Sequence, residues 1–313
     1  MTEMEYRQLG DSGLTVSVVG LGCNNFGGRI DADQAESVVT AALDAGITLF
    51  DTADVYGDRG ASEEILGKAL RGRRDEAVVA TKFGGDMKGA NGPDWGVRGS
   101  RRYIRKAVEA SLRRLGTDWI DLYQLHVPDL VTPIEETLAA LSELVAEGKV
   151  RYLGSSQFAG WQVVDADWAA RTAGSEHFIS AQNRYNLLER EAEDELVPAC
   201  EHLGIGVLPF FPLASGLLTG KYKRGEEAPD GTRLANMPER LARADFDKIE
   251  ALDTFAAERD LSLLDVAIGG LAAQPTVASV IAGATRPEQI EQNVRAGLWE
   301  PTLEDLAALD ELT

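Results

Sequence analysis

Four side chains in this sequence are placed where they could deliver a proton to a carbonyl oxygen. Asp51 closes the apolar run Ile47–Phe50, with Tyr56 in the segment that follows. Lys82 follows the run Ala77–Ala80, and His126 ends the run Trp119–Leu125. A short apolar run reads as a buried strand, so all three charged or titratable groups fall at strand ends. A tyrosine hydroxyl, with an ordinary pKa of about 10, needs help to exchange protons near neutrality. The Lys82 ammonium is expected to stabilise the tyrosinate and lower that value. Asp51 would keep Lys82 charged and oriented, limiting the cost of burying it. His126 would hydrogen-bond the carbonyl oxygen and steer it toward Tyr56. The set describes general acid catalysis on a carbonyl, with hydride as its natural partner. Singly, each residue has an ordinary role open to it: a loop-capping aspartate, a solvated lysine, a packed histidine. Placement on consecutive strand ends favours the chemistry.

The elements that must position these groups repeat along the chain. Eight apolar runs, Val16–Leu21, Ile47–Phe50, Ala77–Ala80, Trp119–Leu125, Val150–Leu153, Phe178–Ala181, Gly206–Phe211 and Ala278–Ala282, alternate with amphipathic stretches. The helical stretches are Gln34–Asp44, Glu63–Leu70, Arg101–Leu115, Ile134–Ala146, Gln162–Arg171, Glu193–His202 and Phe246–Ala257. Ser62 reads as an N-cap before Glu63 and Glu64, and Thr132 as a cap before Pro133. Gly116 and Gly148 stand where helices end. Continuous apolar strands suit a parallel sheet covered on both faces, and eight strand–helix units favour a closed (β/α)8 TIM barrel over a doubly wound sheet. Glu5–Leu9 and Leu14–Val18 flank Gly10–Gly13 as a β-hairpin that could cap the barrel's N-terminal end. Pro287–Ala296 and Leu303–Leu309 read as extra C-terminal helices. No linker splits residues 1–313 into domains.

Composition excludes several partners. The 313 residues hold 31 Lys and Arg against 51 Asp and Glu, a formal net charge of −20. Neither nucleic acid nor an anionic membrane rewards such a surface. With 44% apolar residues the chain can build a large core. Cys23 and Cys200 are too few for a disulfide framework or a metal knuckle, which fits a reducing cytoplasm. The N-terminus lacks a signal-peptide pattern. The uncharged stretches 203–220 and 266–285 are broken by prolines and glycines and read as buried elements, not membrane spans. His177 and His202 lack metal-ligand spacing, so no metal is expected. Seven basic residues between Arg98 and Arg114 scatter around a helix with its own apolar stripe, which reads as a solvated face.

The blocks FDTADVYG (Phe50–Gly57), ATKFG (Ala80–Gly84) and SLRRLGTDWIDLYQLH (Ser111–His126) resemble the signature segments of the aldo-keto reductases. The resemblance runs from the hairpin to about Asn293 and is of the bacterial type related to potassium-channel β subunits. It implies a (β/α)8 barrel, a catalytic tetrad on Asp51, Tyr56, Lys82 and His126, and reduction of an aldehyde or ketone. It implies NADP(H), with NAD(H) as the less frequent cofactor. Channel β subunits share these motifs, so a cofactor-sensing regulatory barrel is the second reading. The start of the chain almost at the hairpin, and His126 completing the tetrad, favour an enzyme. A lyase using Lys82 as a Schiff base would leave Tyr56 unexplained.

A dinucleotide fingerprint is the alternative way to hold the cofactor, but in Gly20-Leu21-Gly22 the third glycine is replaced by Asn25. Gly22 and Cys23 more simply let the backbone approach a ligand. The family's cofactor segment is resembled by Gly154–Phe158, with Ser156 and Gln157 near the carboxamide and Gln157 where Asn is common. Gln182 would take the other side of the amide. Phe210 would stack on the nicotinamide, while Phe211 replaces a hydroxyl residue and could equally be core; Pro212 and Leu213 continue the segment. Gly216 and Lys221 lie in a loop resembling the one that reaches the pyrophosphate, and Arg233 follows. Gly283, Thr285 and Arg286 open a helix whose N-terminus suits an anion. There the family carries its 2′-phosphate, with Gln289 and Asn293 near the adenine, and Arg286 makes NADP(H) the preferred expectation. The glycine-rich loop 83–100 offers Trp95 as a pocket wall. Asn24, Val55, His126, Asn183 and Arg184 are the other residues expected to face a polar or mixed carbonyl substrate, sugar-like compounds included.

Overall fold

The structure is a computed structural model that describes residues 4–313. Eight parallel strands close into a barrel: β3 (Val19–Gly22), β4 (Leu49–Asp51), β5 (Val78–Phe83), β6 (Ile120–Leu125), β7 (Val150–Ser156), β8 (Phe178–Arg184), β9 (Gly206–Phe210) and β10 (Val280–Gly283). β10 closes the ring by pairing in register with β3, Val280 opposite Val19 and Gly283 opposite Gly22. The crossovers are helical: α1 (Ala32–Asp44), α2 (Tyr56–Ala69), α3 (Arg101–Leu115), α4 (Ile134–Ala146), α5 (Gly160–Ala173) and α6 (Leu196–Leu203). α7 (Pro238–Ala242), α8 (Phe246–Ala257) and α9 (Leu263–Ala272) lie between β9 and β10, and α10 (Pro287–Ala296) and α11 (Leu303–Leu312) follow the last strand. The expected (β/α)8 architecture with its hairpin and extra helices is therefore present.

β1 (Tyr6–Gln8) and β2 (Thr15–Ser17) form the antiparallel hairpin, Tyr6 opposite Ser17 and Gln8 opposite Thr15. Its turn lies against the start of β9: Asp11 N–H donates to Gly204 O at 2.7 Å. Gly10 is required there, because a Cβ would come within 2.6 Å of two backbone carbonyl oxygens. Leu9 and Val16 are fully buried and join Leu49, Ala80, Leu122, Ile179 and Leu208 in a cluster that fills the barrel. The larger core lies between the strands and the helices, and both together leave the strand C-termini to carry polar groups.

Several local expectations need correcting. The run Val16–Leu21 divides between β2 and β3, because the Ser17 hydroxyl donates to Val19 O at 2.7 Å and turns the chain. Ser62 does not cap a helix. Its hydroxyl donates to Cys23 O at 2.8 Å, and residues 57–60 ahead of it have left-handed backbones, so α2 becomes regular only beyond Gly60. Thr132 likewise donates to Asp129 Oδ2 at 2.7 Å instead of capping α4. The stretch Glu193–His202 opens with a three-ten turn, Glu191–Glu193, before α6. α9 has no expected counterpart: residues 265–272 are all buried, so no polar face betrays its period.

Candidate active site

The strand ends bring the four reactive groups together. Lys82 is fully buried, and its Nζ donates to Asp51 Oδ2 at 2.6 Å, Thr52 O at 2.9 Å and the Tyr56 hydroxyl at 3.3 Å. Asp51 is saturated from its other side: Gln182 Nε2 and Gln124 Nε2 donate to Oδ1 at 2.8 and 3.2 Å. The His126 ring stands edge-on to Tyr56 with centroids 5.8 Å apart. Tyr56 reaches this point because the left-handed backbone at residues 57–60 ends the strand-to-helix loop in a tight bend. At Gly57 a Cβ would meet Phe26 O at 2.6 Å, so only glycine fits.

Burial decides the protonation states. For Tyr56, desolvation outweighs the Lys82 ammonium, and the net pKa is raised above the ordinary value. The expectation that Lys82 lowers it therefore holds for the sign of that interaction but not for the sum. Tyr56 is a protonated acid throughout the neutral range. Burial also works against the Lys82 ammonium, but Asp51 and Tyr56 overcome it and raise its pKa. His126 is pushed down to about 3 by burial and by Lys82, so its imidazole is neutral, and its buried Nδ1 has no partner among the described residues. A neutral ring, a protonated phenol and a fixed ammonium can together polarise a carbonyl and protonate its oxygen.

Behind the bend lies a buried polar network that sequence reading missed. Glu63, fully buried, accepts from Thr81 Oγ1 and Arg114 Nε, each at 2.6 Å. Arg114 Nη1 donates to Asn91 Oδ1 at 3.1 Å, and Asn91 Nδ2 donates to Asp54 Oδ2 at 3.1 Å. Asp54 Oδ1 has no partner among the described residues. This network ties the Tyr56 loop to β5, α3 and the glycine-rich loop.

A cavity of about 1220 Å³ opens above the tetrad. Asp51, Tyr56 and His126 line it, with Gly22 and Asn24, then Ser156, Gln157 and Gln182, then Phe210, Phe211, Pro212 and Leu213. Gly216, Lys221, Arg233, Gly283, Thr285, Arg286, Gln289 and Asn293 complete the expected set, and Asn183 and Arg184 also reach it. Four expected residues do not line it. Lys82 sits behind Tyr56 and Asp51. Cys23 is fully buried with its thiol toward Leu21 O. Val55 packs over Gly85, where an added Cβ would lie 2.6 Å from it. Trp95 is a correction too: it is 63% exposed and held outside by Arg102, whose guanidinium carbon lies 4.3 Å from its ring centroid. The reading of Phe211 as core fails as well. It is half-buried on the cavity wall, with Arg184 at 5.1 Å and Arg233 at 5.5 Å from its ring.

The cavity's far end is cationic. Arg29, which no sequence pattern marked, donates to Gly231 O at 3.1 Å and joins Lys221, Arg233 and Arg286 there. Burial, and then the charges of Arg29, Arg233 and Arg286, lower the Lys221 pKa despite Tyr222. Among the described residues Arg29, Lys221 and Arg233 have no carboxylate partner, and Arg286 only a loose one, Glu288 at 3.9 Å. An unneutralised cluster of this kind, on a protein of charge −20, is a site for an anionic ligand. Left-handed backbone occurs at Gln157, Phe211 and Ser215, all lining the same cavity, and strain of this sort collects at ligand sites.

A parallel barrel with an Asp–Tyr–Lys–His cluster at its C-terminal mouth and a cationic cleft beside it defines a class of oxidoreductase fold. The model for the aldo/keto reductase family matches residues 18–313, and the chain belongs to that family. It is 38% identical over 305 residues to a probable voltage-gated potassium channel subunit beta of Arabidopsis thaliana, covering 94% of this chain and 91% of that one. An uncharacterized oxidoreductase of Bacillus subtilis, YrpG, is 39% identical over the same shares. An L-glyceraldehyde 3-phosphate reductase of Escherichia coli K12 is 35% identical, covering 94% of this chain and 88% of that one.

Proposed function

We propose that this protein is an NADP(H)-dependent reductase of aldehydes or ketones, with sugar-like carbonyl compounds among its candidate substrates. One observation carries the reading: Tyr56, hydrogen-bonded to Lys82, and His126 share a cavity with a cluster of cations that have no close carboxylate partner among the described residues. When bound, the nicotinamide supplies the hydride. Lys221, Arg233 and Arg286 would hold its phosphates, aided by the N-terminus of α10. Ser156, Gln157 and the free Oε1 of Gln182 would hold the carboxamide, Phe210 would face the ring, and Gln289 and Asn293 the adenine. His126 orients the carbonyl oxygen, and Tyr56 donates its proton to that oxygen. Lys82 stabilises the phenolate left behind, and Asp51, fixed by Gln124 and Gln182, keeps Lys82 in place. Asn24, Asn183 and Arg184 give the substrate side a polar wall. We place the enzyme in the cytoplasm, where its two free, buried thiols would stay reduced.

Likeness to the plant channel subunits supports a second reading, a cofactor-sensing regulatory barrel with little turnover. One experiment separates the two. NADPH binding is followed by tryptophan fluorescence and reduction of an aldehyde panel by absorbance. The reductase reading expects turnover by the wild type and its loss, by about 10²-fold or more, in Tyr56→Phe with NADPH binding retained. Binding without turnover would favour the regulatory barrel. Retained turnover in Tyr56→Phe would remove the proton-donor assignment.

A further inference from the structure

The outer face of α5 is the least expected surface of the molecule. A barrel helix buries one stripe against the strands, and α5 does so with Val163, Ala166, Ala169 and Ala170. Its opposite face should be polar, yet Trp161, Val164 and Trp168 lie there, 60%, 44% and 71% exposed. Their spacing of three and four residues puts them on one line along the helix. α5 packs between α4 and α6, and no described residue covers this line. Two neighbouring exposed indoles on a rigid helix are the residue type that anchors protein interfaces.

We propose that two copies of this chain pair through α5, the helices antiparallel about a two-fold axis at Trp168. An isologous contact sets each residue before the axis against the one equally far beyond it. Asp165 and Arg171 lie one helical turn either side of Trp168, so each meets its opposite charge on the second copy. Asp165 has no ion pair among the described residues. Arg171 spends only its Nε, on Asp167 at 2.6 Å, and keeps its terminal nitrogens for the second copy's Asp165. Val164 comes opposite Thr172. Trp161 comes opposite the end of the partner helix at Gly174 and Ser175. At Gly174 an added Cβ would touch nothing within 4 Å, which leaves open space for the indole. α5 carries Asp165, Asp167 and Arg171, with Asp167 buried against Arg171, so this face adds only one net negative charge per copy where two molecules of charge −20 approach. Each indole can bury roughly 150 Å² or more, a sizeable part of the roughly 800 Å² per partner of an ordinary interface.

Sedimentation velocity and dilution-dependent tryptophan emission on the full-length chain test the pairing. The wild type is expected to sediment as a dimer whose emission shifts to the red on dilution. Trp168→Glu is expected to sediment as a monomer with unchanged circular dichroism and NADPH binding. Asp165→Arg and Arg171→Asp each place like charges opposite one another and should weaken the dimer by about tenfold or more. The double exchange should recover most of the loss, which a merely misfolded variant would not. A wild type that is monomeric at all concentrations would assign this face to another partner and overturn the proposal. So would a dimer that survives Trp168→Glu, or a double exchange no tighter than the single variants.

Discussion

Asp54 shows how far burial governs the individual groups of this site. Its carboxyl is raised to about 8, first by desolvation and then by the Glu63 charge, against the opposing pull of Arg114, Asn91 and the Val55 amide. A carboxyl raised in the folded state holds a proton that the unfolded chain has released. Its contribution to stability is complete below the unfolded value of about 4 and is lost as pH rises through about 8. Asp54→Asn keeps the shape and removes the titration. Urea unfolding at about pH 5.5 and pH 8.5 should therefore show the variant gaining on the wild type with rising pH, by roughly 1–3 kcal/mol at the upper end. Parallel pH profiles for the two proteins would place the proton elsewhere. The four reactive residues were legible because each follows an apolar run. Asp54 and Glu63 were not, because nothing in their spacing announces that Arg114 and Asn91 will be carried to them from α3 and the glycine-rich loop. Gln124 on β6 and Gln182 on β8 lie close to His126 and Asn183 in the chain, but only barrel closure aims both at Asp51.

At the scale of elements, the strand ends were more legible than the helix starts. Apolar runs fix the barrel strands to within a few residues, since a strand buried on both faces must be apolar throughout. α3, α4, α8 and α10 coincide with their expected spans. Where a helix is buried on all sides, as α9 is, the period vanishes from the sequence. Where a chain bend is made by left-handed backbone, as at 57–60, a cap-like serine misleads. The start of α10 is the element most directly tied to cofactor choice. Arg286 is its N-cap, has no side-chain capping bond, and shares the cavity with Thr285 and Gln289. Thr285 N–H is already taken by Gln289 Oε1 at 2.8 Å, which leaves the guanidinium as the group best able to recognise an added phosphate. Arg286→Ala should weaken NADPH by about tenfold, the modest figure reflecting solvent screening, and change NADH little. Equal losses for the two nucleotides, read by fluorescence titration, would mean that Arg286 does not see the 2′-phosphate.

For the whole molecule the question is whether a ligand with several phosphates feels the −20 of the chain or the cations of the cleft. The two alternatives differ in sign. If the overall charge governs, added salt screens a repulsion and tightens NADPH binding. If Arg29, Lys221, Arg233 and Arg286 govern, salt screens an attraction and loosens it. Between about 0.1 and 1 M salt the screening length falls from about 10 Å to about 3 Å. Over that range distant carboxylates are already silent while groups touching the ligand are not. Burial first, and then the charges of Arg29, Arg233 and Arg286, lower the Lys221 pKa, so these cations lie close enough together to act jointly on one ligand. NADPH dissociation constants should therefore rise with salt, by about tenfold over this range, while resistance to urea improves as self-repulsion within the acidic coat is screened. Opposite responses from one protein in one titration would separate the charge of its surface from the charge of its site. Tighter NADPH binding at high salt would show that the cluster does not hold the phosphates.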